Sequence, residues 1–141
     1  MGWYKQFKIA AKLTPIEFEG ELKDKNGFIY LDIPDAIISG FMSLIKGKVI
    51  HPKKASDNYP GAHISVMQAE DTDKKVKEIG KKFKFTIIGA EQTEPEGWDG
   101  VNKVYFITVD SPELENLRKS YGLSKKNKGH NFHITIAVEV E

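Results

Sequence analysis

A chain of 141 residues with 40% hydrophobic and 29% charged side chains has the size and composition of one compact domain with a core, which excludes disordered and fibrous classes. The absence of cysteine removes disulfide scaffolds, thiolate nucleophiles and Cys-based zinc sites, and fits a reducing cytosol. A net charge of +1 with a single arginine, Arg118, argues against a grip on a long duplex and for a compact anionic ligand.

In chain order, apolar alternation marks Phe7 to Leu13 as a strand, and the turn pair Asn26-Gly27 introduces a second short strand, Phe28-Ile29-Tyr30-Leu31. Pro34 stands at a first helical position, and Ile37, Phe41, Leu44 and Ile45 recur at helical spacing until Gly47 closes the element. A polar loop, Lys48 to Pro60, leads to a strand from Ala62 to Met67. A short helix, about Thr72 to Lys81, is expected to link this half to the next.

The second half repeats the order. Phe83 to Gly89 is a strand, Glu94 to Gly100 a turn, Val104 to Val109 a strand and Pro112 to about Tyr121 a helix; Phe132 to Val138 is the closing strand. The run Phe28-Ile29-Tyr30-Leu31-Asp32-Ile33-Pro34-Asp35 aligns without a gap onto Phe106-Ile107-Thr108-Val109-Asp110-Ser111-Pro112-Glu113. Asp32 and Asp110 fall two residues before the prolines and read as helix-start signals rather than catalytic groups. The expected fold is α+β: two pseudo-symmetric strand-strand-helix-strand lobes, about 1–70 and 83–141 of a single 1–141 domain, with mainly antiparallel sheets flanking a central cleft.

His63 with Ser65, and His133 with Thr135, occupy equivalent ends of the two units. Residues two apart in a strand share a face, so each pair sets an imidazole beside a hydroxyl while Ile64, Val66, Ile134 and Ile136 point toward the helix of their own lobe. A neutral imidazole can take a proton from an attacking hydroxyl while a protonated one donates to a leaving oxygen, and the two hydroxyls can hold non-bridging phosphate oxygens. The pattern therefore points to cleavage of a phosphodiester bond with no cofactor and no metal.

The segments Gly61-Ala62-His63-Ile64-Ser65-Val66 and Asn131-Phe132-His133-Ile134-Thr135-Ile136 resemble the paired signatures of the two-histidine (2H) phosphoesterase superfamily. The resemblance implies two lobes about a cleft, catalytic His63 and His133, phosphate-binding Ser65 and Thr135, and metal-independent action. It implies substrates among 2',3'-cyclic phosphates, 2',5'-linked oligonucleotides, ADP-ribose cyclic phosphate or RNA ends, and in small viral members cyclic oligonucleotide immune signals. A small cyclic nucleotide or oligonucleotide is the favoured partner; RNA-end processing, a non-catalytic nucleotide-binding module and a metal-dependent hydrolase are the alternatives. Family members that hold phosphate with arginine differ from this chain, which leaves that grip to lysines.

Around this centre, Tyr59 and Trp98 are candidate base platforms, and Lys128 and His130, with Lys125 and Lys126, are candidate anion contacts. Trp3 and Tyr4 read as packing residues and His51 as an exposed histidine. No apolar run reaches the roughly 20 residues that span a bilayer, and Met1-Gly2-Trp3-Tyr4-Lys5 lacks the apolar core of a secretory signal. A cytoplasmic monomer without membrane contact is expected.

Overall fold

The computed structural model describes residues 17–45, 48–52, 59–97, 100–127 and 130–140. The expected strand Phe7 to Leu13, Trp3, Tyr4, Trp98 and Lys128 lie outside them. The first described element, β1 (Glu17–Lys25), pairs antiparallel with β2 (Phe28–Asp32) through the expected Asn26-Gly27 turn. Both turn residues have positive φ, 53° and 92°, as a type I' hairpin requires, and the Asp24 side chain accepts a hydrogen bond from the Gly27 N–H at 2.8 Å. Leu22, Ile29 and Leu31 are buried on one face of this hairpin. Glu17, Glu19, Glu21 and Lys23 alternate with the apolar face of β1, so its pattern is half charged.

Helix α1 (Ala36–Met42) is shorter than the sequence suggests, with turns rather than helix over Ser43 and Leu44. Its N-cap, Asp35, makes no side-chain cap; its carboxylate accepts instead from the Ala62 N–H at 2.8 Å, tying the helix start to the strand entry. Strand β3 (His63–Met67) follows.

No helix forms over Thr72 to Lys81, where one was expected; the segment is a series of turns. Val76 is buried but Ile79 is 38% exposed, so it has no continuous apolar stripe to bury. Its main-chain groups are satisfied elsewhere: Gly80 N–H donates to Leu22 O at 2.8 Å, Leu22 N–H to Lys81 O at 2.9 Å, and Lys77 N–H to the Tyr121 hydroxyl at 2.8 Å.

Strands β4 (Lys82–Thr93) and β5 (Val101–Asp110) form a second hairpin, followed by α2 (Pro112–Ser120) and β6 (Phe132–Val140). Ser111 caps α2 by accepting from Leu114 N–H, and its own hydroxyl donates to Lys84 O at 2.6 Å. The helix ends in a Schellman arrangement, with Gly122 N–H on Lys119 O, Leu123 N–H on Arg118 O, and Gly122 at φ 76°. The caps are thus Asp35 and Ser111, while Asp32 and Asp110 close strands β2 and β5.

The fold is α+β, as expected, with all strand pairs antiparallel, but both halves run into one six-stranded sheet in the order β3-β2-β1-β4-β5-β6. The helices do not keep to their own halves. α1 packs on β6, and α2 on β4 and β3, so one shared core contains Ile64, Val66, Ile134 and Ile136. The edge strands β3 and β6 also touch each other, which requires the sheet to curl until its two ends meet. Beyond them, Ile50 forms a two-way antiparallel bridge to Val138, with bonds of 2.9 and 3.1 Å.

Candidate active site

Alternation along β3 and β6 buries Ile64, Val66, Ile134 and Ile136 and leaves His63, Ser65, His133 and Thr135 half-exposed on the other face. Because the edge strands meet, the two imidazoles lie close enough for charge on His133 to disfavour charge on His63. The expected four residues therefore share one neighbourhood. Neither Ser65 nor Thr135 uses its hydroxyl on another described residue, so both are available to a ligand.

The two histidines are held by the same local device. His63 Nδ1 lies 2.7 Å from Gly61 O, and His133 Nδ1 lies 3.3 Å from Asn131 O, in each case the carbonyl two residues earlier. A carbonyl can only accept, so Nδ1 carries the proton and Nε2 is the nitrogen left to take up or release one. Gly61 reaches the needed turn at φ 98°.

Burial lowers the pKa of both imidazoles below the ordinary histidine value. The Gly61 carbonyl and Asp32 oppose this at His63, while His133 adds to it. At His133 the Asn131 carbonyl and Glu91 oppose the burial effect, and His130 reinforces it. Both rings are consequently poised to be neutral near pH 7, and an incoming anion would favour charging one of them.

The surroundings of the two rings differ. His63 sits in an aromatic shell of Phe28, Tyr30 and Tyr59, with ring centroids 6.0, 5.7 and 5.6 Å away. Tyr59 also meets His51 edge-on at 5.8 Å. Its hydroxyl is buried with no hydrogen-bond partner among the described residues, burial raises its pKa, and its ring walls one side of His63. His133 contacts Phe106 at 5.2 Å and opens onto a cavity of about 370 Å³ that Glu91, Thr108, Lys126, His130 and Asn131 also line. Lys126 Nζ donates to Asn131 Oδ1 at 2.5 Å.

The ladders explain the difference. Asp32 stands opposite His63 and Tyr30 opposite Ser65, whereas Thr108 stands opposite His133 and Phe106 opposite Thr135. The ungapped sequence match would carry Asp110 to the place opposite His133; instead the second ladder is displaced by two residues from that match, while the register shifts at Ile29/Tyr30 and Tyr105/Phe106 fall at equivalent places just past Ser65 and Thr135. Phe28, Tyr30, Glu91, Phe106 and Thr108 were not singled out from sequence, although the first two alternate with buried Ile29 and Leu31 on the polar face of β2.

Arg118 is withdrawn from the site. It is 4% exposed and donates to Val66 O at 2.6 Å and Ser124 O at 2.7 Å, with Asp71 at 3.6 Å. Among the described residues no group of three or more His, Cys, Asp or Glu is arranged to hold a metal ion, and no helix is long and apolar enough to cross a membrane.

Comparison with known proteins adds one finding. Residues 29–141 match the family model described as Swiss Army Knife, 2H phosphoesterase domain, while no curated protein and no solved structure matches. That match covers both histidine strands and most of the chain, and the chain belongs to the 2H phosphoesterase superfamily of hydrolases.

Proposed function

We propose that this chain is a metal-independent phosphodiesterase acting on a small cyclic nucleotide or oligonucleotide through two-histidine acid–base catalysis. The observation that carries the reading is the pair of imidazoles on touching edge strands, each with Nδ1 engaged by a main-chain carbonyl and Nε2 left for proton transfer. One neutral ring removes the proton from the attacking water or ribose hydroxyl as its oxygen bonds to phosphorus. The other, protonated in the complex, donates to the oxygen whose bond to phosphorus breaks. Ser65 and Thr135 donate hydrogen bonds to the non-bridging oxygens and hold the phosphate in line. The aromatic shell on one side and the open cavity on the other suit a ligand that extends from the phosphate in one direction.

The test is a panel of 2',3'-cyclic nucleotides, cyclic di- and trinucleotides, ADP-ribose derivatives, 2',5'-oligoadenylate and RNA ends, with products identified by mass spectrometry. His63→Ala and His133→Ala should each lower cleavage by about 10²–10⁴-fold while folding persists. Full activity in either variant refutes the acid–base assignment, and loss of activity on chelation refutes metal independence.

A further inference from the structure

A carboxylate is an odd lining for a phosphate site, because it repels the anion that the neighbouring imidazole and hydroxyls are placed to receive. Glu91 occupies that position: it stands opposite Phe106 in the β4–β5 ladder and lines the same cavity as His133. Ionised, it is an acceptor with no donor. It therefore contributes to binding only where the ligand presents N–H or O–H groups. The cavity also offers Lys126, whose ammonium is anchored on Asn131 Oδ1 and retains further N–H donors, and the ring of Phe106 as a stacking surface.

We propose that this cavity is a base-recognition subsite selective for guanine, with Glu91 as its specificity-determining residue; the assignment of the phosphate to the histidines rests on the function proposed above. Guanine presents an acceptor, O6, followed by two adjacent donors, N1–H and the N2 amino group. Two parallel hydrogen bonds from N1–H and N2–H fit the two oxygens of one carboxylate, and O6 fits the lysine ammonium. Adenine offers the carboxylate a single donor beside an acceptor, cytosine a single donor, and uracil a lone N–H between two acceptors. Phe106 supplies stacking that tolerates any base, so the discrimination falls to Glu91. The cavity of about 370 Å³ lies within the range of about 300–1,000 Å³ seen for small-ligand pockets. The His63 side is walled by three aromatic rings, and its nearby carboxylate, Asp32, stands opposite His63 in the β2–β3 ladder and is not among the residues that line this cavity.

The experiment titrates the whole protein with guanosine, inosine and adenosine 3'-monophosphates, read by NMR or calorimetry, for the unmodified chain and Glu91→Gln. Guanosine 3'-monophosphate should bind about 10- to 100-fold more tightly than the adenosine compound, as expected for one bidentate pair, and inosine, lacking the N2 amino group, should lose most of that advantage. In Glu91→Gln the guanosine-to-adenosine ratio should collapse toward one. The ratio is unaffected by any general change the substitution makes at nearby His133. Equal affinities in the unmodified chain, no guanosine 3'-monophosphate binding, or a preference that survives Glu91→Gln would overturn the proposal. Guanine-selective binding in a protein that cleaves nothing in the panel would overturn the phosphodiesterase reading and support this one; cleavage without base preference would do the reverse.

Discussion

Replacing Arg118 with Met keeps the apolar stem of the side chain and removes its guanidinium from a site that is 4% exposed. Two short hydrogen bonds disappear, to Val66 O at 2.6 Å and Ser124 O at 2.7 Å, together with the contact to Asp71 at 3.6 Å. The bond to Val66 O is buried, so that carbonyl loses a charged donor and has no water to replace it, which costs about 1–3 kcal/mol. Asp71 and Ser124 are more exposed, and solvent recovers much of what they lose. The sum is about 3 kcal/mol, at the lower end of what breaking a buried ion pair costs. For a chain of this length that lowers Tm by roughly 10 °C. Thermal and urea unfolding followed by circular dichroism measure it directly. Arg118→Lys should recover less than half of the loss, since one ammonium cannot reproduce the fork that reaches both carbonyls. The functional corollary separates structure from phosphate binding: well below the melting transition, Arg118→Met should keep its KM for whichever substrate the panel identifies. A Tm within about 2 °C of the parent, or a large rise in KM without loss of stability, would refute the structural assignment.

Other perturbations probe the centre itself. At Gly89 an added Cβ would lie 2.6 Å from the Thr108 hydroxyl, which is buried opposite His133, so Gly89→Ala should cost about 1–3 kcal/mol and depress kcat; unchanged stability and rate would count against so tight a floor. Ser65→Ala and Thr135→Val should each lower kcat about 10²–10³-fold with little change in Tm, and wild-type rates would remove them from phosphate stabilisation. Because burial lowers both imidazole pKa values below 6.5, the unfolded chain binds protons that the folded chain resists, so stability falls as pH drops through about 6.5. The double variant His63→Gln, His133→Gln should flatten that slope in urea titrations between pH 7 and 5; an unchanged slope would contradict the lowered values.

What could be read from sequence follows physical locality. The histidine strands were legible because alternation alone decides which side chains share a face, and the Ser111-Pro112 start of α2 because a cap is a local signal. Strand β1 was not recognised: six of its nine residues are charged and Gly20 interrupts its apolar face, a glycine fitted to β2, where a Cβ would meet Asp32 O at 2.6 Å. The false helix over Thr72 to Lys81 failed because its main-chain groups bond to Leu22 and Tyr121, partners distant in sequence. The same reason hid Glu91 and Thr108, which reach His133 only across ladders whose bulges leave no mark in composition. Arg118 was noted for its rarity, but its burial under Val66 depends on α2 packing against a strand of the other half.

The meeting of β3 with β6 also has a kinetic meaning. His63 and His133 are 70 residues apart, so bringing their imidazoles together demands closure of a long loop. Until β6 docks against β3, the two imidazoles are apart. A chain that has completed its first hairpin and β3 still lacks the pair, and on the function proposed above recovery of turnover after dilution from denaturant should trail the return of secondary structure.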